Sequence, residues 1–109
     1  MKINEKLLKN YMEFDNHIIK ARCGANGATN DYTYSFGNYE IYTIIVVGMH
    51  SGDHYSFRRY LYNTERNVLF LESTNQKGNI NLTASVNDNS RLSITNSGSY
   101  GAQYEVLIF

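Results

Sequence analysis

Asn79-Ile-Asn-Leu-Thr-Ala-Ser-Val86 is a run in which every second residue is apolar: Ile80, Leu82, Ala84 and Val86 alternate with Asn79, Asn81, Thr83 and Ser85. Successive side chains of a strand face opposite ways, so strict alternation marks a half-buried strand. The run is bounded by Asn75-Gln-Lys-Gly78 and Asn87-Asp-Asn-Ser90, clusters of turn-forming residues. Towards the C-terminus, Leu92 and Ile94 repeat the alternation, Asn96-Ser-Gly-Ser99 turns, and a last strand ends at Tyr104-Glu-Val-Leu-Ile-Phe109. Towards the N-terminus come Val68–Leu71, the turn Asn63-Thr-Glu-Arg66, the strand Tyr55–Tyr62 and the turn Ser51-Gly52-Asp53.

The stretch Tyr39–Met49 is the most apolar of the chain, with Ile41, Tyr42, Ile44, Ile45, Val46 and Val47. Both its faces are greasy, so it is buried on both sides, or on one side with a subunit interface on the other. Tyr32, Tyr34 and Phe36 alternate with Thr33 and Ser35 and predict a strand, followed by a turn at Gly37-Asn38. Gly24–Asp31 holds no apolar residue larger than Ala and predicts a loop, whose Asn and Gly residues tolerate left-handed backbone angles. His17–Arg22 predicts a first strand. Residues 2–14 are the only helical pattern: Ile3, Leu7, Leu8, Tyr11 and Met12 share one face, Asn4 can cap the start, and Lys2, Lys6 and Lys9 lie opposite. So short a helix must dock on the sheet or on neighbouring copies. About eight strands with turn signals roughly every 8–12 residues predict an all-β antiparallel β-sandwich over 16–109, preceded by a short N-terminal helix over 1–15.

Composition narrows the function. Ten Lys+Arg balance ten Asp+Glu, so no overall field favours nucleic acid or an anionic membrane. A single cysteine, Cys23, excludes an internal disulfide framework and a Cys-based zinc cluster. No apolar stretch is long enough to span a bilayer, and the N-terminus has no signal-peptide h-region. Ten tyrosines and fourteen asparagines suit strands joined by tight turns. The tyrosines either fill the core and its rim or form a binding surface, where a ring supplies area and a hydroxyl supplies a hydrogen bond.

Few residues suggest chemistry. His50-Ser-Gly-Asp53-His54 places two imidazoles and a carboxylate within one turn. Such groups donate lone pairs to divalent ions, but the spacing matches no established metal motif; the expectation is an exposed turn with no metal and no cofactor. Across a hairpin, His50 and His54 can face one another. Arg58-Arg59 sits among aromatics, an arrangement that can stack on bases or sugars. Neighbouring strand residues point oppositely, so a solvent-facing Arg58 and an Arg59 paired to a carboxylate are expected, without nucleic acid as partner. Cys23 reads as a small buried hydrophobe. The Gly-containing loops match no phosphate-binding fingerprint or nucleophile elbow, and Asp53, Glu65, Glu72, Asp88 and Glu105 are scattered, so no enzyme is expected.

The C-terminal strand makes a separate point. If Val106 and Ile108 line the core, Leu107 and Phe109 face elsewhere, at about 1.5–3 kcal/mol each when left unburied. Either another subunit or the N-terminal helix covers them.

Asn79–Val86, Arg91-Leu-Ser-Ile-Thr-Asn-Ser97 and Gly98-Ser-Tyr-Gly-Ala-Gln-Tyr-Glu-Val-Leu-Ile-Phe109 together resemble the closing strands of the C-terminal β-sandwich heads of bacteriophage tail fibre and receptor-binding proteins. Tyr42-Thr-Ile-Ile-Val-Val-Gly-Met49 is similar to their central strand, so the likeness covers roughly residues 39–109. It is one of texture; no position-specific motif carries over, and the fibrous stem is missing from the pattern. The resemblance implies a jelly-roll-like, usually homotrimeric head in the virion tail that binds a host-surface glycan or protein without catalysis or membrane insertion. The ligand-binding candidates are His50, Asp53, His54 and Tyr55 in the aromatic turn and Tyr100 in the Gly/Ser turn, with Leu107 and Phe109 at the oligomer interface. The alternative is a small phage-encoded inhibitor that binds a host protein, in the manner of anti-CRISPR factors.

Overall fold

Eight strands order the chain in a computed structural model that describes residues 18–109. They are β1 Ile18–Cys23, β2 Ala28–Thr33, β3 Ile41–Ser51, β4 His54–Asn63, β5 Val68–Lys77, β6 Leu82–Asn87, β7 Arg91–Asn96 and β8 Ala102–Ile108. All pairings are antiparallel, in a five-stranded sheet of order β1-β8-β3-β4-β5 and a three-stranded sheet of order β2-β7-β6. The helix expected over residues 2–14 lies outside the described residues.

The alternation that predicts the strands also builds the core. Ile44 and Val46 of β3, Tyr60 and Tyr62 of β4, and Tyr104, Val106 and Ile108 of β8 are buried together with Leu82, Leu92 and Ile94 of the smaller sheet. Removing each large side chain from water contributes about 1.5–3 kcal/mol. Gly48 leaves room for the other layer and for the neighbouring strand: a Cβ there would meet Leu82 Cδ1 at 2.4 Å and the Gln103 carbonyl oxygen at 2.7 Å.

Polar groups on the inner face of β4 also join the layers. The Leu82 N–H donates to Ser56 Oγ (3.1 Å), Arg58 donates to the Leu82 carbonyl (2.7 Å), and the Ala84 N–H donates to the Tyr60 hydroxyl (3.1 Å). Arg58 is therefore not solvent-facing, contrary to the sequence expectation. It shares the inner face with Ser56 and Tyr60, and a guanidinium carries enough donors to satisfy a carbonyl and Ser56 Oγ at once. Arg59, on the outer face, does pair with a carboxylate, Glu72, at 2.9 Å.

Four segments depart from their sequence patterns. Asn79–Asn81, expected to open a strand, belongs to the β5–β6 loop, because the Asn79 carbonyl accepts from the Tyr100 amide and the Asn81 amide donates to Asn96 Oδ1; β6 begins at Leu82. Ala28–Asp31, expected in a loop, belongs to β2; its inward positions are Ala28, Asn30 and Tyr32, and a polar inward Asn30 hides the alternation. Asn30 earns its place by donating to the Tyr104 hydroxyl (2.8 Å) and the Arg22 carbonyl (2.9 Å). The strand expected through Phe36 stops at Thr33, after which the Tyr34 and Phe36 amides bond the carbonyls of Ser90 and Asn89 in the β6–β7 turn. β5 runs through Asn75-Gln76-Lys77, expected to turn, because a strand exposed on both faces needs no apolar alternation. Elsewhere Asn26, Asp88 and Asn89 take positive φ in turns where they were anticipated, and Asn67 does so one residue beyond the expected turn Asn63–Arg66.

Buried tyrosines set the response to alkali. Burial raises the Tyr104 hydroxyl well above its ordinary range, reinforced by its bond to Tyr32 and opposed by Asn30. Burial likewise raises Tyr62, Tyr34 and Tyr42, the last also through Glu40. A pKa raised by folding gives stability that is complete below the unfolded value of about 10 and disappears as pH climbs towards the folded value. Unfolding free energies from urea titration should thus stay level through neutral pH and fall above about pH 10, by up to about 1.4 kcal/mol per pH unit for Tyr104, with Tyr62 acting in the same direction. Values unchanged well above pH 10 would show that these hydroxyls ionise as freely in the folded chain.

Candidate functional site

Four connections meet at one end of the two sheets: β1–β2, β3–β4, β5–β6 and β7–β8. Asn96, the last residue of β7, is fully buried there. Its Nδ2 donates to the carbonyls of Gly24 (3.0 Å) and Tyr100 (2.7 Å), and its Oδ1 accepts from the amides of Asn81 (3.1 Å) and Gly98 (3.0 Å). One carboxamide thus saturates its four bonds on three of the loops. Backbone bonds from Asn26 to Gly98, Ser97 to Asn81 and Tyr100 to Asn79 complete the knot.

On this base stand three of the residues singled out from the sequence. His50 and His54, at either side of the β3–β4 hairpin, have ring centroids 6.0 Å apart in an edge-on arrangement. Tyr100, from the β7–β8 loop, packs 4.9 Å from His50 and 4.5 Å from His54. The hydrogen bonds assign the two imidazoles opposite tautomers. His50 Nδ1 lies 3.1 Å from the Gly101 carbonyl and carries the hydrogen, which leaves Nε2 as an acceptor. His54 Nδ1 accepts from the Asn79 amide at 3.0 Å, so the neutral ring holds its hydrogen on Nε2 and donates there. The trio is an aromatic surface with one fixed acceptor, one fixed donor and a phenol hydroxyl.

The other two candidates stand apart. Asp53 pairs with Lys77 at 3.3 Å and is exposed. Tyr55 pairs across from Met49 and Lys77, on the strand face opposite His54. Among the described residues no group of three or more His, Cys, Asp or Glu side chains could hold a metal ion. Cys23 is buried at the end of β1, where Sγ donates to the Ala28 carbonyl and burial raises the thiol pKa. Other carboxylates are engaged as well: Asp31 accepts from Ser93 (2.5 Å) and Glu40 from Tyr42 (2.5 Å).

Beside His50 lies a groove of about 360 Å³ whose walls include Arg22, Met49 and Gln103. Sequence reasoning missed these three residues. They come from β1, β3 and β8, which become neighbours only through the strand order, and no local motif links them. Leu107 and Phe109, expected at an oligomer interface, are half-buried. Leu107 sits on the outer face of the larger sheet between Ile18 and Ile45, and the Phe109 backbone exchanges both its hydrogen bonds with Thr43. No helix among the described residues is long and apolar enough to cross a membrane. Compared with protein-family models, curated proteins and solved structures, the chain gives no match to any of them.

Proposed function

We propose that the chain is a non-catalytic binding module that recognises a host-surface carbohydrate or protein, the role of a phage tail receptor-binding head. The observation that carries this reading is the His50–His54–Tyr100 trio, held on the loop knot with one imidazole presenting an acceptor and the other a donor. A sugar offers C–H faces for stacking and hydroxyls that both give and take hydrogen bonds, which is the complement of such a surface. The adjoining groove adds Arg22 and Gln103 as further hydrogen-bonding groups. Pairing of β1 with β8 and of β2 with β7 is in keeping with the rolled wrapping of a jelly-roll head, although the β3–β4–β5 meander gives sheets of five and three strands. The half-buried state of Leu107 and Phe109 leaves little for a trimer to cover, so the reading does not depend on one.

The test is a glycan array followed by titration calorimetry on the best ligand. Tyr100→Ala and His50→Ala should each weaken binding about tenfold, about 1.4 kcal/mol, with no change in melting temperature. Undiminished binding in both variants removes the site. Retention of no glycan, with one host protein captured at equal stoichiometry and released by neither variant, would favour the inhibitor reading instead.

A further inference from the structure

Among the bonds that hold the loop end together, one depends on an unprotonated ring. The Asn79 amide donates to His54 Nδ1 at 3.0 Å, and the Asn79 carbonyl accepts from the Tyr100 amide at 3.1 Å. Through Asn79, then, the β3–β4 hairpin is linked to the β7–β8 loop. A neutral imidazole offers one acceptor nitrogen; a protonated one offers none, because both nitrogens carry hydrogen. Protonated His54 therefore turns an N–H towards the N–H of Asn79, and the two must part.

The ring has little room to yield. A Cβ on Gly78, at a φ of 75°, would lie 2.3 Å from His54 Nδ1 and 2.9 Å from Cγ, so the glycine backbone sits against the imidazole. The Tyr100 ring packs on it at 4.5 Å, and His50 stands 6.0 Å away. Turning the imidazole over brings a carbon to the Asn79 amide and breaks the bond just the same. Asn79 is exposed, by contrast, and its amide can turn to water. The loop is the part that moves, and Tyr100 is bonded to it.

Neighbouring charges favour the same movement. Asp53, the carboxylate of the hairpin, is engaged by Lys77 of β5 at 3.3 Å. His50 takes its own second proton on Nε2 and keeps its bond to the Gly101 carbonyl, so acid makes cations of two facing rings. Arg22 of β1, in the groove beside His50, adds a further positive charge. The remaining titratable groups at this end, the Tyr100 phenol and the Cys23 thiol, carry no charge in acid.

We propose that His54 is an acid-operated latch on the candidate site: a proton taken up at Nδ1 releases the Asn79 amide, Tyr100 moves off with the loop, and the aromatic trio comes apart. His50 does not share this role, since its Nδ1 donates in either state; its Nε2 turns from acceptor to donor instead. A ligand held at neutral pH is thereby let go in acid. That consequence rests on the trio being the ligand surface; the latch itself does not.

Nuclear magnetic resonance of the full chain, with no ligand added, tests the latch between about pH 8 and about pH 5, the interval over which imidazoles change charge. At the upper end, Overhauser contacts should join the Tyr100 ring to both imidazoles. At the lower end they should vanish, and the exchange protection of the Asn79 and Tyr100 amides should fall about tenfold. The Asn26 and Ser97 amides, bonded to the Gly98 and Asn81 carbonyls of the same knot, should keep theirs. His54→Asn places an oxygen where Nδ1 stood and does not titrate here, so Asn79 and Tyr100 should stay protected throughout. His50→Asn should leave the loss in place. Contacts and protection that persist at about pH 5 in the parent would overturn the latch, as would their loss in His54→Asn or an equal loss at Asn26 and Ser97. A failed latch leaves the glycan test standing, and a chain that retains no glycan can still show the latch.

Discussion

Asn96→Ala should lower stability by about 4–6 kcal/mol, the largest loss expected from any single polar substitution in the chain. The side chain is fully buried and bonds four backbone groups: the carbonyls of Gly24 and Tyr100 and the amides of Asn81 and Gly98. Each orphaned group costs about 1–3 kcal/mol, and the outermost recover part of that by admitting water. Against a total of about 5–15 kcal/mol for a native domain, the variant sits near the edge of folding. Asn96→Asp separates shape from bonding. It fills the same volume and keeps both acceptor bonds, yet it loses both donors and points an anion at two carbonyls. Urea denaturation should place it close to Asn96→Ala. A loss below about 1 kcal/mol in both variants would mean that the loops hold together without the carboxamide.

Gly98→Ala should cost about 3 kcal/mol although it adds only a methyl group. Its Cβ would lie 2.0 Å from the Asn79 carbonyl oxygen, 2.6 Å from the Asn79 carbonyl carbon and 2.7 Å from Ile80 Cα. All three are backbone atoms, so relief requires the β5–β6 loop to shift, and overpacking of this kind costs about 1–3 kcal/mol or somewhat more. The shift would also reach the candidate site, because Asn79 accepts from the Tyr100 amide and donates to His54 Nδ1. Ligand affinity should therefore fall in the still-folded variant. Gly52→Ala is the matched control: it lies in the neighbouring hairpin with nothing within 4 Å of its Cβ, and it should stay within about 0.5 kcal/mol of the parent. Equal midpoints for the two variants would show that the loops yield without cost.

Where one side of a strand is core and the other is not, the sequence carries the fold. Leu82–Val86, Leu92–Ile94 and Tyr104–Ile108 could be placed from alternation, because each inward position is apolar; Ile80 keeps the alternation and is buried, but it lies in the loop before β6. The pattern failed where an inward residue is polar for a reason set by a distant strand. Asn30 in β2 is needed by Tyr104 and Arg22, and Arg58 in β4 is needed by Leu82. It also failed along β5, whose exposed second half has no core to declare. At the candidate site, His50 and His54 were legible as a facing pair because a short hairpin fixes their relation, and Tyr100 stood out for its Gly/Ser surroundings. That Tyr100 packs on both imidazoles depends on the β7–β8 loop folding over the hairpin, and Asn96, which holds that loop, looked like one turn-forming asparagine among fourteen.

A strand edge normally tolerates almost any neighbour, since backbone meets backbone and side chains are spectators. The β6 edge is different: its partners are the hydroxyl, guanidinium and phenol of Ser56, Arg58 and Tyr60. Divergence of this fold is thereby constrained in an unusual place. A distant descendant free to change every aliphatic residue of the core for another would still have to retain Ser-x-Arg-x-Tyr, or a chemically equivalent triplet, within its fourth strand.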